Sequence, residues 1–225
     1  GKTSLHVAIE NNNIDIIQLL LANNADVNKA DNEGKTSLRI ASENNNIDII
    51  QLLLANNADV NKADNERKTS LHVASKYNYI DITQLLLANN ADVNKADNEG
   101  KTSLRIASEY NNIDIIQLLL ANNADVNKAD NECKTPLYIA SKQEMLDVVK
   151  LLLANSADAN KADNEGKTPL HFASEHNHID LIQLLLANNV DVNKADNEGQ
   201  TPLKMAKEFN KQYVVKVLEA AGAKE

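Results

Sequence analysis

The chain has 225 residues, with 23 Lys and Arg against 32 Asp and Glu, a formal net charge of −9, and 3% aromatic residues. That balance argues against a nucleic-acid surface, and no apolar run approaches the roughly 20 residues of a membrane helix. The lone cysteine, Cys133, excludes an internal disulfide and fits a reducing compartment, so an intracellular, cytoplasmic protein without direct membrane insertion is expected.

A fixed period is read before local structure. The stretch "NKADNE" begins at residues 28, 61, 94, 127, 160 and 193, always 33 residues apart. The repeats run 1–33, 34–66, 67–99, 100–132, 133–165, 166–198 and 199–225. No linker or shift of composition interrupts them, so one continuous domain over 1–225 is expected.

The second repeat shows the elements in chain order. Thr36 is placed to cap a short helix over about 37–44, and Pro136, Pro169 and Pro202 stand at its first position in the last three repeats, where a missing N–H costs nothing. "NNN" then breaks the helix. Asn46 caps a second one, and Asp48 lies in its first turn, where the helix dipole favours a negative charge. Ile47, Ile49, Ile50, Leu52, Leu53 and Leu54 make this helix apolar on most sides, so it must be covered by neighbouring hairpins. Asn57 stands where the chain leaves the helix and needs a left-handed residue. Ala58 and Val60 turn inward, and "NKADNEGKT" reads as a polar turn organised by an Asp side chain and a loop Gly.

These residues resemble the ankyrin repeat, a 33-residue unit of a β-turn and two antiparallel helices marked by Thr-Pro-Leu-His-x-Ala. That motif appears as "TSLHVA" at 3–8 and "TPLHFA" at 168–173, with "TSLRIA", "TPLYIA" and "TPLKMA" elsewhere; the second helix ends in "LLLANNADVN" at 19–28. The resemblance covers the whole chain. It implies an all-α solenoid of stacked helix-turn-helix units joined by β-turn loops. It also implies a non-catalytic scaffold that binds a protein partner on the concave face made by loop tips and first helices. Asn replaces the usual Gly at Asn12 and Asn24. Arg67 and Cys133 replace the loop Gly, which puts those turns in question, and Glu144 in place of Asn predicts a local distortion. Repeat seven is polar, as a terminal cap would be. Repeat one is not, so an array continuing upstream is expected, with a monomer capable of end-to-end association through repeat one.

The family's contact positions map in repeat two to Asn32, Glu33, Lys35, Glu43 and Asn44. The tips barely vary, and Lys35, Lys68 and Lys101 present the same charge. Variation concentrates at the end of the first helix, where the array reads Asn11, Asn44, Tyr77, Tyr110, Gln143, His176 and Phe209. Two residues on it reads Asn13, Asn46, Tyr79, Asn112, Met145, His178 and Lys211. Stacking would align these side chains on one face as a binding ladder. Tolerated drift, or packing on the next hairpin, is the competing reading. A structural spacer or elastic array without a specific partner, and an engineered consensus array, are the alternative functions.

No metal, cofactor or catalytic site is expected. His176 and His178 alone do not complete a zinc site, and the acids Asp26, Asp31 and Glu33 lack the spacing of a calcium loop. Cys133 has no basic neighbour pair to activate it. His6, His72 and His171 occupy the motif position for which the resemblance implies a structural hydrogen-bonding role. It further implies hydroxylation of the Asn ending "DVN": Asn28, Asn61, Asn94, Asn127 and Asn193, with Asn160 a poorer match after Ala159.

Overall fold

The computed structural model describes residues 1–224; the final residue of repeat seven, 225, lies outside them. Fourteen helices and no strand are present among the described residues, with one isolated bridge between Ala96 and Thr102. The chain groups into two compact units. Unit 1 holds Gly1–Ala107 and Asp114–Ala124; unit 2 holds Ser108–Ile113 and the chain from Asp125 onward.

In unit 1 the hairpins are α1 (Ser4–Glu10) with α2 (Ile14–Ala22), α3 (Ser37–Glu43) with α4 (Ile47–Ala55), and α5 (Ser70–Lys76) with α6 (Ile80–Ala88). The fourth repeat supplies α7 (Ser103–Glu109) and α8 (Ile113–Ala121). Unit 2 continues with α9 (Pro136–Lys142), α10 (Leu146–Ala154), α11 (Pro169–His176), α12 (Ile179–Leu186), α13 (Pro202–Glu208) and α14 (Gln212–Ala220). First helices stack on first helices, α1 on α3 on α5 and α9 on α11 on α13. Second helices follow the same order, α4 on α6 and α10 on α12.

The caps form as the residue types require. Thr36 Oγ1 accepts from Arg39 N–H at 3.3 Å, and Asn46 Oδ1 from Ile49 N–H at 3.0 Å. Ile49, Ile50 and Leu53 are buried, while Ile47, Leu52 and Leu54 are half-buried, so the second helix is covered from several sides. Both turns inside each repeat use a left-handed residue, most often Asn: Asn12, Asn24, Asn45 and Asn57 have φ between 53° and 62°, while Ser156 and Gly222 take the second of these positions in repeats five and seven.

The substitutions expected to disturb the turns do not. Glu144 takes φ 55°, the conformation of its Asn counterparts. Arg67 and Cys133 take φ 60° and 59° and keep the turn bond to the loop Asp, Arg67 N–H to Asp64 O at 2.9 Å and Cys133 N–H to Asp130 O at 3.0 Å. Gly34 and Gly166 sit farther out, at φ 78° and 82°, where an added Cβ would lie 2.4 Å from Asn65 Oδ1 and 2.6 Å from Asn197 Oδ1. A side chain is therefore admitted by a backbone rotation of about 20°, within the left-handed region.

Candidate interaction face

Each tip is built by its Asp. Asp64 Oδ1 accepts from Glu66 N–H and Lys68 N–H, both at 2.9 Å. The other carboxylate oxygen faces the preceding repeat's first helix, meeting Arg39 Nη2 at 3.5 Å; Asp163 Oδ2 accepts from the Tyr138 hydroxyl at 2.6 Å. Burial, then this bond to Asp163, pushes the Tyr138 phenol far above its ordinary range. Where the position is His, the ring takes a different route. His72 Nδ1 accepts from Thr69 N–H at 3.0 Å, and its Nε2–H donates to Lys101 O at 3.2 Å. His171 repeats this with Thr168 at 3.1 Å and Gln200 O at 3.1 Å. Desolvation, the largest cause, lowers the pKa of both rings. His6 makes the local bond to Thr3 at 3.0 Å, and burial lowers its pKa as well.

Neighbouring tips are joined in each unit. In unit 1, Asn65 N–H donates to Glu33 O at 3.0 Å and Asn65 Nδ2 to Asn32 O at 3.0 Å; Asn98 does the same to Glu66 O at 2.9 Å and Asn65 O at 3.1 Å. In unit 2, Asn197 bonds Glu165 O at 3.0 Å and Asn164 O at 2.9 Å. A second ladder uses the "DVN" asparagines. Asn28 Nδ2 donates to Asn57 O at 3.1 Å while its Oδ1 accepts from Asp59 N–H at 2.7 Å. Asn61 bridges to Asn90 O and Asp92 N–H in the same way. Asn94 Nδ2 donates to Asn123 O. Asn127, Asn160 and Asn193 form these bridges in unit 2, so Ala159 does not disturb Asn160. Sequence reasoning missed both ladders; the signal was the identity of Asn28 and Asn32 in every full copy.

The tip cations are paired locally. Lys35 Nζ lies 3.0 Å from Glu33 and 3.5 Å from Glu43, Lys68 lies 2.6 Å from Glu66, and Lys101 lies 2.7 Å from Glu99. Lys134–Glu132 and Lys167–Glu165 repeat the pair in unit 2.

The variable position closes the first helix. Tyr77, Gln143 and Phe209 are its C-cap residues, and His176 is the last residue of α11. Tyr77 is 52%, Tyr110 47% and Phe209 45% exposed; Gln143 and His176 are exposed too. Two residues on, Tyr79, Met145, His178 and Lys211 occupy the N-cap of the second helix without a side-chain cap bond, unlike Asn13 and Asn46. Tyr77 and Tyr79 stack with centroids 5.7 Å apart. Phe172 stacks on His176 at 4.2 Å and His178 at 5.7 Å, and His178 Nδ1 lies 2.8 Å from Glu144. These rings border two grooves, one of about 480 Å³ beside Tyr77 and one of about 470 Å³ beside Phe172 and His176.

Cys133 is exposed, and no cluster of three or more metal-ligating side chains occurs among the described residues. No described helix is long and apolar enough to cross a membrane. In repeat one, Ile16 is 46% exposed, whereas Ile49, its counterpart in repeat two, is 1% exposed.

A sequence model of ankyrin repeats, in blocks of three copies, matches residues 1–64, 61–130, 106–196 and 137–224. The chain belongs to the ankyrin-repeat family. No curated protein matches the chain. Among solved structures it is similar to the ankyrin repeat domain of Bcl-3, described as a unique member of the IkappaB protein family. Identity is 25% and the TM-score 0.87, covering 97% of this chain and 99% of that one. The all-helical ankyrin solenoid is therefore the fold. Ankyrin repeats in general mediate protein–protein interaction and are typically non-catalytic modules.

Proposed function

We propose that the chain is a protein-interaction scaffold that reads its partner with the face made by first helices and loop tips, the concave face of the ankyrin family. One observation carries this. Among near-identical copies, one exposed position at the end of the first helix carries rings in four of the last five repeats, Tyr77, Tyr110, His176 and Phe209, with Gln143 between them. Drift does not require rings, and Tyr is a frequent hot-spot residue. Tyr79, Met145 and His178 line the same helix junction, and Lys35, Lys68 and Lys101 serve as the rim. Tyr77→Ala with Tyr110→Ala should lower saturable partner capture at least tenfold, with a Tm within a few degrees of the parent. Gln51→Ala with Gln117→Ala, on exposed positions of the second helices, should change neither. Unchanged capture with a large loss of stability would sink the reading.

The spacer reading has support of its own, since the tips spend their polar groups on each other and on backbone. Capture of no saturable partner would favour it. The reading further takes residues 1–225 as one cytoplasmic domain, monomeric except for end-to-end association through the exposed apolar residues of repeat one. Hydroxylation of Asn28, Asn61, Asn94, Asn127 and Asn193 is a further proposal. Their amides are held in ladder bonds, so an enzyme would need a locally opened chain. Peptide mass spectrometry of native protein without single-oxygen additions would remove it.

A further inference from the structure

We propose that the groove of unit 2 beside Phe172, His176 and Glu175 receives an arginine side chain of the partner; this rests on the interaction reading above. The rings of Phe172, His176 and His178 lie with planes within 23° of one another, a stacked aromatic platform of which Phe172 and His176 line the groove. His176 Nδ1–H donates to Phe172 O at 3.1 Å, which in the neutral ring fixes Nε2 as an acceptor. Glu175, next in the same groove, makes no side-chain hydrogen bond or ion pair among the described residues, and its charge acts on Lys167 and Tyr138 only at longer range. The groove's ammonium groups at Lys134 and Lys167 are already held by Glu132 and Glu165. The groove also holds Lys142, but its carboxylates, Glu132, Asp163, Glu165 and Glu175, outnumber its lysines.

A π-face, a fixed ring acceptor and a carboxylate without a direct partner ask for one chemistry: a flat cation with several donors. Guanidinium stacks on rings and donates in plane, whereas an ammonium is a strongly hydrated point charge. Unit 1 has no equivalent ring triad: Asn11 and Asn44 stand where His176 does in repeats one and two, and in repeat three Val73 stands where Phe172 does, beside Tyr77 and Tyr79. Repeats one and two also show that Asn is tolerated there, with Asn11 Nδ2 donating to Val7 O at 2.8 Å.

The test titrates the full chain with acetylated, amidated Gly-Arg-Gly and its Lys and citrulline versions, following the ring signals of Phe172 and His176 by NMR. The Arg peptide should give saturable shifts, at least fivefold tighter than either control. His176→Asn and Glu175→Gln should each abolish that preference while leaving the remaining spectrum intact. Equal response to all three peptides, no saturable shift, or a preference that survives both substitutions overturns the proposal. Partner capture on Tyr77→Ala and Tyr110→Ala is read separately, so failure of the arginine site and failure of the interaction reading are distinguishable.

Discussion

A buried imidazole is held neutral when one nitrogen must accept a hydrogen bond and no water reaches the ring. His72 and His171 both meet this condition, each accepting at Nδ1 from a Thr and donating from Nε2 to the next tip. Their lowered pKa means that the unfolded chain binds these protons more readily than the folded one. Stability is therefore complete above the unfolded value of about 6.5 and falls as the pH drops below it. Replacing both by Tyr, which the same position accepts at Tyr138, should flatten the decline of Tm between pH 7 and pH 5. His6 leaves a residual slope, because its pKa is lowered too. Glu66 and Glu99, held below the usual carboxylate range chiefly by hydrogen bonds from Lys68 and Lys101, titrate under this window. A slope identical to the parent would show that the two rings do not carry the acid sensitivity.

At the scale of the helix, most of the fold was legible because capping chemistry is local. Thr36, Asn46 and the left-handed Asn57 each do what the residue type allows at that offset. The bonds between tips were not legible, because they join residues 33 apart and depend on the spacing of stacked helices rather than on the sequence of one loop. The same limit hid the cost of the variable position. Tyr79 gives up the N-cap bond that Asn46 makes, and such a bond is worth about 1 kcal/mol. Tyr79→Asn should therefore stabilise the chain by about 1 kcal/mol in chemical denaturation. If the ring serves recognition, partner capture should weaken at the same time. Gain of stability with full capture would assign Tyr79 to drift and leave Tyr77 to carry the contact.

Across the whole chain, near-identical repeats should unfold together when nearest-neighbour coupling exceeds the differences between copies. The boundary between the two units falls inside the fourth repeat, within α7 rather than in a linker. Domain boundaries usually fall in polar, flexible linkers, so on the proposal of one domain over 1–225 a single cooperative transition is expected. The chain contains no Trp, so Tyr77→Trp reports on unit 1 and Phe209→Trp on unit 2 without background. Their midpoints should coincide with each other and with far-UV dichroism. Asn61→Ala removes the amide that donates to Asn90 O and accepts from Asp92 N–H, which should cost about 1–3 kcal/mol. On the one-domain proposal, that loss should lower both Trp midpoints, not only the one in unit 1. Separate midpoints, or a shift confined to the unit 1 probe, would divide residues 1–225 into two domains and restrict any shared interaction face to one of them.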